Sequence, residues 1–283
     1  MKCSLNVLIP VEGTEPVAPW LGGKRHLSKR ICAVLAGTDH QAYVEPFVGM
    51  GGVFLRRRLR PSVEVVNDIN SDLVNLYRVI QRHPQALFRE LRWRPAMRTE
   101  FERLKETRDE DLTDIERAAR FLYLQTLAFS GKVSGQSYGV SLTSPHNFDL
   151  SRIEPRIERL RVRLQSVVIE NLDWLECITR YDRPGTLFYL DPPYWGGEGD
   201  YGPGIFLRGD FQRMADKLRS IEGRFIFSIN DRPEIRAMFD WAEIEAVNTK
   251  YSVGSVDRKE PVRELLIGRG VNLSPAAPEP TLF

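Results

Sequence analysis

The 283-residue sequence is poor in the residues that staple, ligate or anchor a chain. It has three cysteines, Cys3, Cys32 and Cys177, with no CxxC pair among them. An odd, scattered set of thiols excludes a disulfide framework and fits a reducing compartment. The four histidines, His26, His40, His83 and His146, lack metal-ligand spacing, so no metal is expected. No apolar run approaches the roughly 18 residues of a membrane span. The N-terminus also lacks the charged-then-apolar layout of a secretory signal. The expectation is a cytoplasmic protein without a membrane partner. Net charge is only +2, so whole-molecule charge selects no partner class.

Basic residues are nonetheless clustered, and most are arginines, whose planar fork suits phosphate. The densest groups are "RRRLR" (Arg56 to Arg60) and an alternating run from Arg152 to Arg163. Either can be a solvated helix face, and either can meet phosphates.

Apolar patterning divides the chain. "AYVEPF" (Ala42 to Phe47) and "VEVVND" (Val63 to Asp68) read as buried strands, and "VFLRRRLR" between them can form a crossover helix. That makes a βαβ unit and predicts a parallel sheet. From about Ser71 the period becomes helical, with Ser71 as the expected N-cap. Strands return at "SVVIEN" (Ser166 to Asn171), "TLFYLD", "RFIFSIN", "AEIEAV" and "VRELLIG". The expected fold class is α/β, with a sheet domain formed by residues 1–75 and 166–271. A mainly helical insert occupies 76–165, and 272–283 is a tail expected to be disordered.

Two turns carry candidate chemistry. "EPFVGMGGVF" places Gly49, Gly51 and Gly52 after the first strand, where glycine lets backbone approach a ligand closely. Phe54 stands where a dinucleotide fingerprint would need its third glycine, which weakens an oxidoreductase reading. Asp68 follows about twenty residues on, where an acid can bond ribose hydroxyls, although it can equally cap the next helix. Together these suggest a ligand containing adenosine. The second turn is "LFYLDPPYWGG", an apolar strand ending in Asp191, Pro192, Pro193 and Tyr194. Two prolines cannot continue a sheet ladder, so they make a stiff turn that fixes an acid and an aromatic ring. The following "WGGEGDYGPG" is expected to be mobile and to close over a substrate.

"PWLGGKRHL", "EPFVGMGG", "NDIN" and "LDPPY", in that order, resemble the Dam-like DNA adenine-N6 methyltransferases. The resemblance runs from about Ala18 to Gly268, and "IENLDWLECI", "FSIND" and "RELLI" extend it. It implies a Rossmann-like, S-adenosylmethionine-dependent methyltransferase sheet of seven strands, the last forming an antiparallel hairpin around "YSVGSVDRKEPV". It implies S-adenosylmethionine as donor, S-adenosylhomocysteine as product and double-stranded DNA as partner, with or without a cognate restriction nuclease. By the same resemblance Trp20, Lys24, Pro46, Phe47, Gly49, Gly51, Asp68, Asp173 and Asp191 surround the donor. Asp191, Pro192, Pro193 and Tyr194 form the catalytic turn. The insert becomes a target-recognition domain, with Lys132, Arg152, Arg156 and Arg159 as candidate DNA contacts. Family members often carry an Asn–Gly–Leu–x–Arg segment there, whereas this chain has "FSGKVSGQSYGVS" (Phe129 to Ser141). A GATC target therefore does not carry over.

The Asp-Pro-Pro-Tyr turn also makes chemical sense by itself. An exocyclic base amine is a poor nucleophile, because its lone pair is delocalised into the ring. Acceptors on its two N–H bonds, the Asp191 carboxylate and the Pro192 carbonyl, would turn the lone pair toward a methyl group. Tyr194 could stack on a base taken out of the duplex. The same turn would serve cytosine N4 or an RNA amine, and a homologue without catalysis would keep only DNA binding.

Overall fold

The computed structural model describes residues 8–139, 146–249 and 262–275. Its elements in chain order are β1 (Ile9–Pro10), α1 (Ser28–Ala36), β2 (Ala42–Glu45), β3 (Leu59–Arg60) and β4 (Val63–Asn67). Five helices follow: α2 (Ser71–Arg82), α3 (Pro84–Arg92), α4 (Arg98–Glu106), α5 (Asp114–Leu127) and α6 (Leu150–Leu164). Then come β5 (Val167–Glu170), α7 (Trp174–Tyr181), β6 (Thr186–Leu190), α8 (Asp210–Ser220), β7 (Arg224–Asn230), α9 (Pro233–Met238), β8 (Glu243–Thr249) and β9 (Val262–Arg269).

Seven strands form one sheet in the order β5-β4-β2-β6-β7-β9-β8. The pairs β5–β4, β4–β2, β2–β6 and β6–β7 are parallel, and β9 is antiparallel to both β7 and β8. β6 is buried at all its positions, as its unbroken apolar run requires of a central parallel strand. Side chains alternate between two cores. Tyr43, Val66, Leu187, Tyr189 and Ile226 face the helices α2 to α6, while Val44, Val65, Phe188, Leu190 and Phe227 face α7 to α9. The first core runs on without a break into the helical stretch through Leu73, Leu91, Phe101 and Leu122, all fully buried. Each such side chain contributes about 1.5–3 kcal/mol of burial, so the helices are anchored on one sheet face.

The structure corrects three sequence expectations. "VFLRRRLR" is not a crossover helix: only Phe54–Arg56 makes a single 3-10 turn, and Leu59–Arg60 then pairs with Ile9–Pro10. The reason is Arg57, which lies buried over the Tyr43 ring and ion-pairs with buried Glu64 at 2.7 Å, drawing the chain inward. Arg163, at the end of the alternating basic run, is no solvated face residue either. It grips the other side of Glu64, with Nη1 at 2.6 Å and Nη2 at 2.7 Å. Lastly, the α2 cap is Asn70 and not Ser71, because the Asn70 side chain accepts from the N–H groups of Asp72 and Leu73.

β8 and β9 form the antiparallel pair expected near the end of the sheet, but its connecting segment, 250–261, lies outside the described residues. So does 276–283 of the tail. Residues Leu273 and Ser274 are fixed: Leu273 is buried, and Arg30 on α1 bonds both.

Candidate active site

The chain leaves β2 toward β4 and β5 on one side and returns to β6 and β7 on the other. The carboxyl ends of β2 and β6 therefore flank the switch point of the sheet, where open α/β sheets bind ligands. The glycine turn follows β2 and the Asp191–Tyr194 turn follows β6. A cleft of about 550 Å³ opens between them.

Its floor is the glycine turn. Gly49 has φ +49°, and a Cβ there would lie 2.4 Å from Trp20 Nε1, so only glycine lets the indole rest on the backbone. Tyr77 Oη donates to Gly49 O at 2.8 Å. Gly51 does a different job from the one expected: it is buried and does not line the cleft, and a Cβ there would meet Leu55 at 2.8 Å. Asp68 stands just past β4 and accepts from Gly49 N and from Asn70 N, both at 2.9 Å. Burial pushes its carboxyl up to about 6, against the pull of those backbone bonds. Asn67 ties the site together by donating to Pro46 O and Leu172 O and accepting from Leu172 N. That fixes Asp173, which caps α7 through Leu175 N and lines the cleft with Pro46 and Phe47.

The second turn is held by ions and amides. Lys24 lies just before α1 and is only 4% exposed. Its Nζ lies 2.6 Å from Asp191 Oδ1 and donates to Tyr194 Oη at 2.7 Å. Ser228 Oγ on β7 donates to Asp191 Oδ1 at 3.2 Å and lies 2.9 Å from Tyr189 Oη. Burial raises Asp191 to about 6, with Lys24 opposing through charge and hydrogen bonding and Glu264 reinforcing. Asn230, at the end of β7, grips the next residue along: its Oδ1 accepts from Trp195 N and its Nδ2 donates to Trp195 O, each at 3.0 Å.

Five neighbours escaped the sequence reading. Ser228 and Asn230 sit in the quoted "FSIND", but nothing local says that they face the turn 35 or so residues earlier. Glu45, at the end of β2, lines the cleft and accepts from Tyr43 Oη at 2.5 Å. Burial pushes it up to about 8, and the charge of Asp191 adds to the rise. Tyr201, in the glycine-rich segment after the turn, lines the cleft and donates to Leu21 O at 2.9 Å. Its ring lies 6.2 Å from that of Trp20. Arg56 lines the cleft as well.

The candidate DNA contacts are dispersed. Arg156 reaches the cleft and pairs with Glu15 at 3.2 Å, while Arg152 pairs with Asp149 in its own first turn. Arg159 is exposed on the same helix, α6, and borders a separate groove with Glu12 and Arg60. Lys132 is exposed and follows the Phe129–Gly131 turn, in which Ser130 takes φ +60°. Gly131 O accepts from Leu21 N at 2.9 Å, which fastens this turn to the cleft wall. Residues 140–141 of the departing segment lie outside the described residues. No cluster of metal-ligating side chains is present among the described residues, and no helix among them is long and apolar enough to cross a membrane.

The family model of the D12 class N6 adenine-specific DNA methyltransferases matches residues 20–253. A Type II methyltransferase of Lactococcus lactis subsp. cremoris is 31% identical over 266 residues, covering 85% of this chain and 91% of that protein. A Type II methyltransferase of Paramecium bursaria Chlorella virus NC1A is 24% identical over 233 residues, covering 80% and 86%. A DNA adenine methylase of Salmonella typhi is 28% identical over 263 residues, covering 83% and 88%. The chain belongs to the D12 class N6 adenine-specific DNA methyltransferase family. Among the activities the sequence left open, that membership selects methylation of adenine N6 in DNA, and the family's chemistry implies S-adenosylmethionine as donor.

Proposed function

We propose that the cleft between the two turns is where the donor and a flipped adenine meet, and that Asp191 to Tyr194 carry the transfer. The observation behind this is the contact of Lys24 with both Asp191 and Tyr194 at the edge of the cleft.

The residues present fit the donor. The Asp68 oxygens accept from backbone N–H groups of Gly49, Asn70 and Ile69, and a carboxylate keeps acceptor capacity beyond these for a ribose hydroxyl. Gly49, Trp20, Pro46 and Phe47 give a flat floor and walls, and Asp173 lies exposed at the rim, within reach of a base edge. When bound, S-adenosylmethionine supplies a sulfonium methyl and is left as S-adenosylhomocysteine.

The protein's own part is to prepare the amine. The hydrogen bonds to Asp191 among the described residues end on Oδ1, so Oδ2 is the oxygen available to one N6–H. The Pro192 carbonyl, stiffened by the prolines, takes the other. Both acceptors favour a lone pair directed at the methyl carbon, and Asp191 stabilises the positive charge that develops on N6. The surplus N6 proton would be held through Asp191 Oδ2 and would pass to solvent after the transfer. Lys24 keeps Asp191 ionised and locates the Tyr194 ring. Stacking on that ring is worth about 1–3 kcal/mol, comparable to the few kcal/mol that unstacking a base costs.

Duplex binding is proposed along the insert, through Lys132, Arg152, Arg156 and Arg159. The segment from Trp195 to Gly204, packed on Leu21 by Tyr201, is proposed to shift when the base enters. The Type II relatives support a modifying role beside a restriction nuclease that reads the same site. Methylation-sensitive sequencing of DNA from cells expressing the protein tests the whole reading. One recurrent sequence bearing N6-methyladenine is expected, and an unmodified genome with well-folded protein would refute it.

A further inference from the structure

The most exposed aromatic side chain among the described residues is far along the helical insert. Trp93, the residue that ends α3, is 82% exposed. Arg89, Arg92 and Trp93 stand at helical spacings of three and four, so they share one face, opposite the buried Leu87 and Leu91. The Arg92 guanidinium lies 5.1 Å from the centre of the Trp93 ring. Arg98 opens α4 beside them, and Met97 between the helices is 50% exposed.

Two features set this corner apart. Many other arginines of the insert are neutralised by carboxylates, Arg94 and Arg103 by Glu100, Arg108 by Asp111, Arg117 by Asp72 and Arg161 by Glu158, while Arg82 and Arg159 stand unpaired among the described residues without an exposed aromatic ring beside them. Arg89, Arg92 and Arg98 have no ion pair among the described residues. Unpaired guanidinium groups suit the phosphates of a duplex, and the exposed indole beside them offers a flat apolar face to the sugar–phosphate backbone. The corner is also joined to the cleft. Tyr138 Oη donates to Ala96 O at 3.1 Å, and Arg98 lies 4.9 Å from the Tyr138 ring. Tyr138 bridges to Ala128, which precedes Phe129 (55% exposed) and the turn fastened to Leu21 on the cleft wall. Cationic and aromatic groups thus continue from the cleft edge to Trp93.

We propose that the α3–α4 corner, with Trp93, Arg89, Arg92 and Arg98, is a second DNA-contact surface that holds duplex beyond the target base. This rests on the methyltransferase reading above. A second copy of the chain is disfavoured as occupant, because a two-fold contact sets a patch against itself and would oppose arginines to arginines.

The test uses the full chain and mixed-sequence duplexes of about one and about three helical turns, with the sequence found methylated placed at the centre where there is one. Binding is read by fluorescence anisotropy across salt concentrations, separately from methyl transfer, so a chain that binds but never methylates would contradict the enzymatic reading alone. The wild type should bind the long duplex more tightly. Trp93→Ala should weaken the long duplex by about threefold to tenfold, the loss of one buried contact of about 1 kcal/mol, and leave the short one unchanged. Arg89→Gln with Arg92→Gln should flatten the salt slope on the long duplex by about two units. All three side chains are exposed, so the variants are expected to fold. Variants that keep the full long-duplex advantage would overturn the proposal. A Trp93→Ala variant changed in self-association but not in DNA affinity would overturn it too.

Discussion

Lys24 Nζ and Asp191 Oδ1 lie 2.6 Å apart, a contact between the segment before α1 and the turn after β6 that puts a buried cation against the carboxylate proposed to act on the amine. Burial alone would raise that carboxyl, and the lysine charge holds it near 6. If transfer needs ionised Asp191, the rate falls as pH drops through about 6. Lys24→Met removes the opposing charge, so the acid limb should move to higher pH. Single-turnover rates against pH at saturating donor measure this, and an unmoved limb would show that Lys24 does not set the ionisation of Asp191.

Asp68 should matter to donor binding and not to the chemical step. Asp68→Ala is expected to weaken S-adenosylmethionine by about 1.5–3 kcal/mol, the range for hydrogen bonds to a charged group. Because burial raises this carboxyl to about 6, wild-type affinity should also decline as pH falls through that value. Calorimetry of the folded variant decides, and unchanged affinity would remove Asp68 from the site.

Asn230 is expected to act by position. It bonds both backbone groups of Trp195 and touches no reacting atom. Asn230→Ala should lower the transfer rate by about tenfold to a hundredfold, since small misplacements in such sites cost that much, with donor affinity nearly intact. Asn230→Asp keeps the acceptor and loses the donor, so it should fall between. A change confined to thermal stability, with the rate unaffected, would make Asn230 merely structural.

Glu64 lies buried between Arg57 and Arg163. Glu64→Ala strands two buried cations and should destabilise the fold by about 3–5 kcal/mol. Urea unfolding measures it, and a loss below about 1 kcal/mol would mean that water reaches the arginines once the acid is gone.

Strand identity was legible in the sequence because β2, β4, β5, β6 and β7 are short apolar runs bounded by turn residues. The two functional turns were legible for a related reason: glycine and proline there do what no other residue can. The arginines were not legible. Arg163 read as part of a surface run because its partner, Glu64, is 99 residues away, and Arg57, only seven residues from Glu64, did so because it sits within a basic run. A charge pattern within one segment cannot reveal a partner supplied by another layer. The same limit hid the pairing of Lys24, expected beside the donor, with Asp191, which is distant in sequence, and the role of Asn230, which looked like the polar end of a strand.

The central claim is that Asp191 accepts a hydrogen bond from the target amine. It is tested most directly by single-turnover methyl transfer to duplex DNA with Asp191→Ala and Asp191→Asn, after each is shown to bind donor. Alanine removes both oxygen and charge and should cost at least about 10²–10³-fold. Asparagine keeps an acceptor oxygen but loses the charge that makes such bonds roughly twice as strong, so it should retain measurable activity clearly above alanine. Wild-type rates in the alanine variant would contradict the catalytic assignment, and asparagine as inactive as alanine would make Asp191 an essential base.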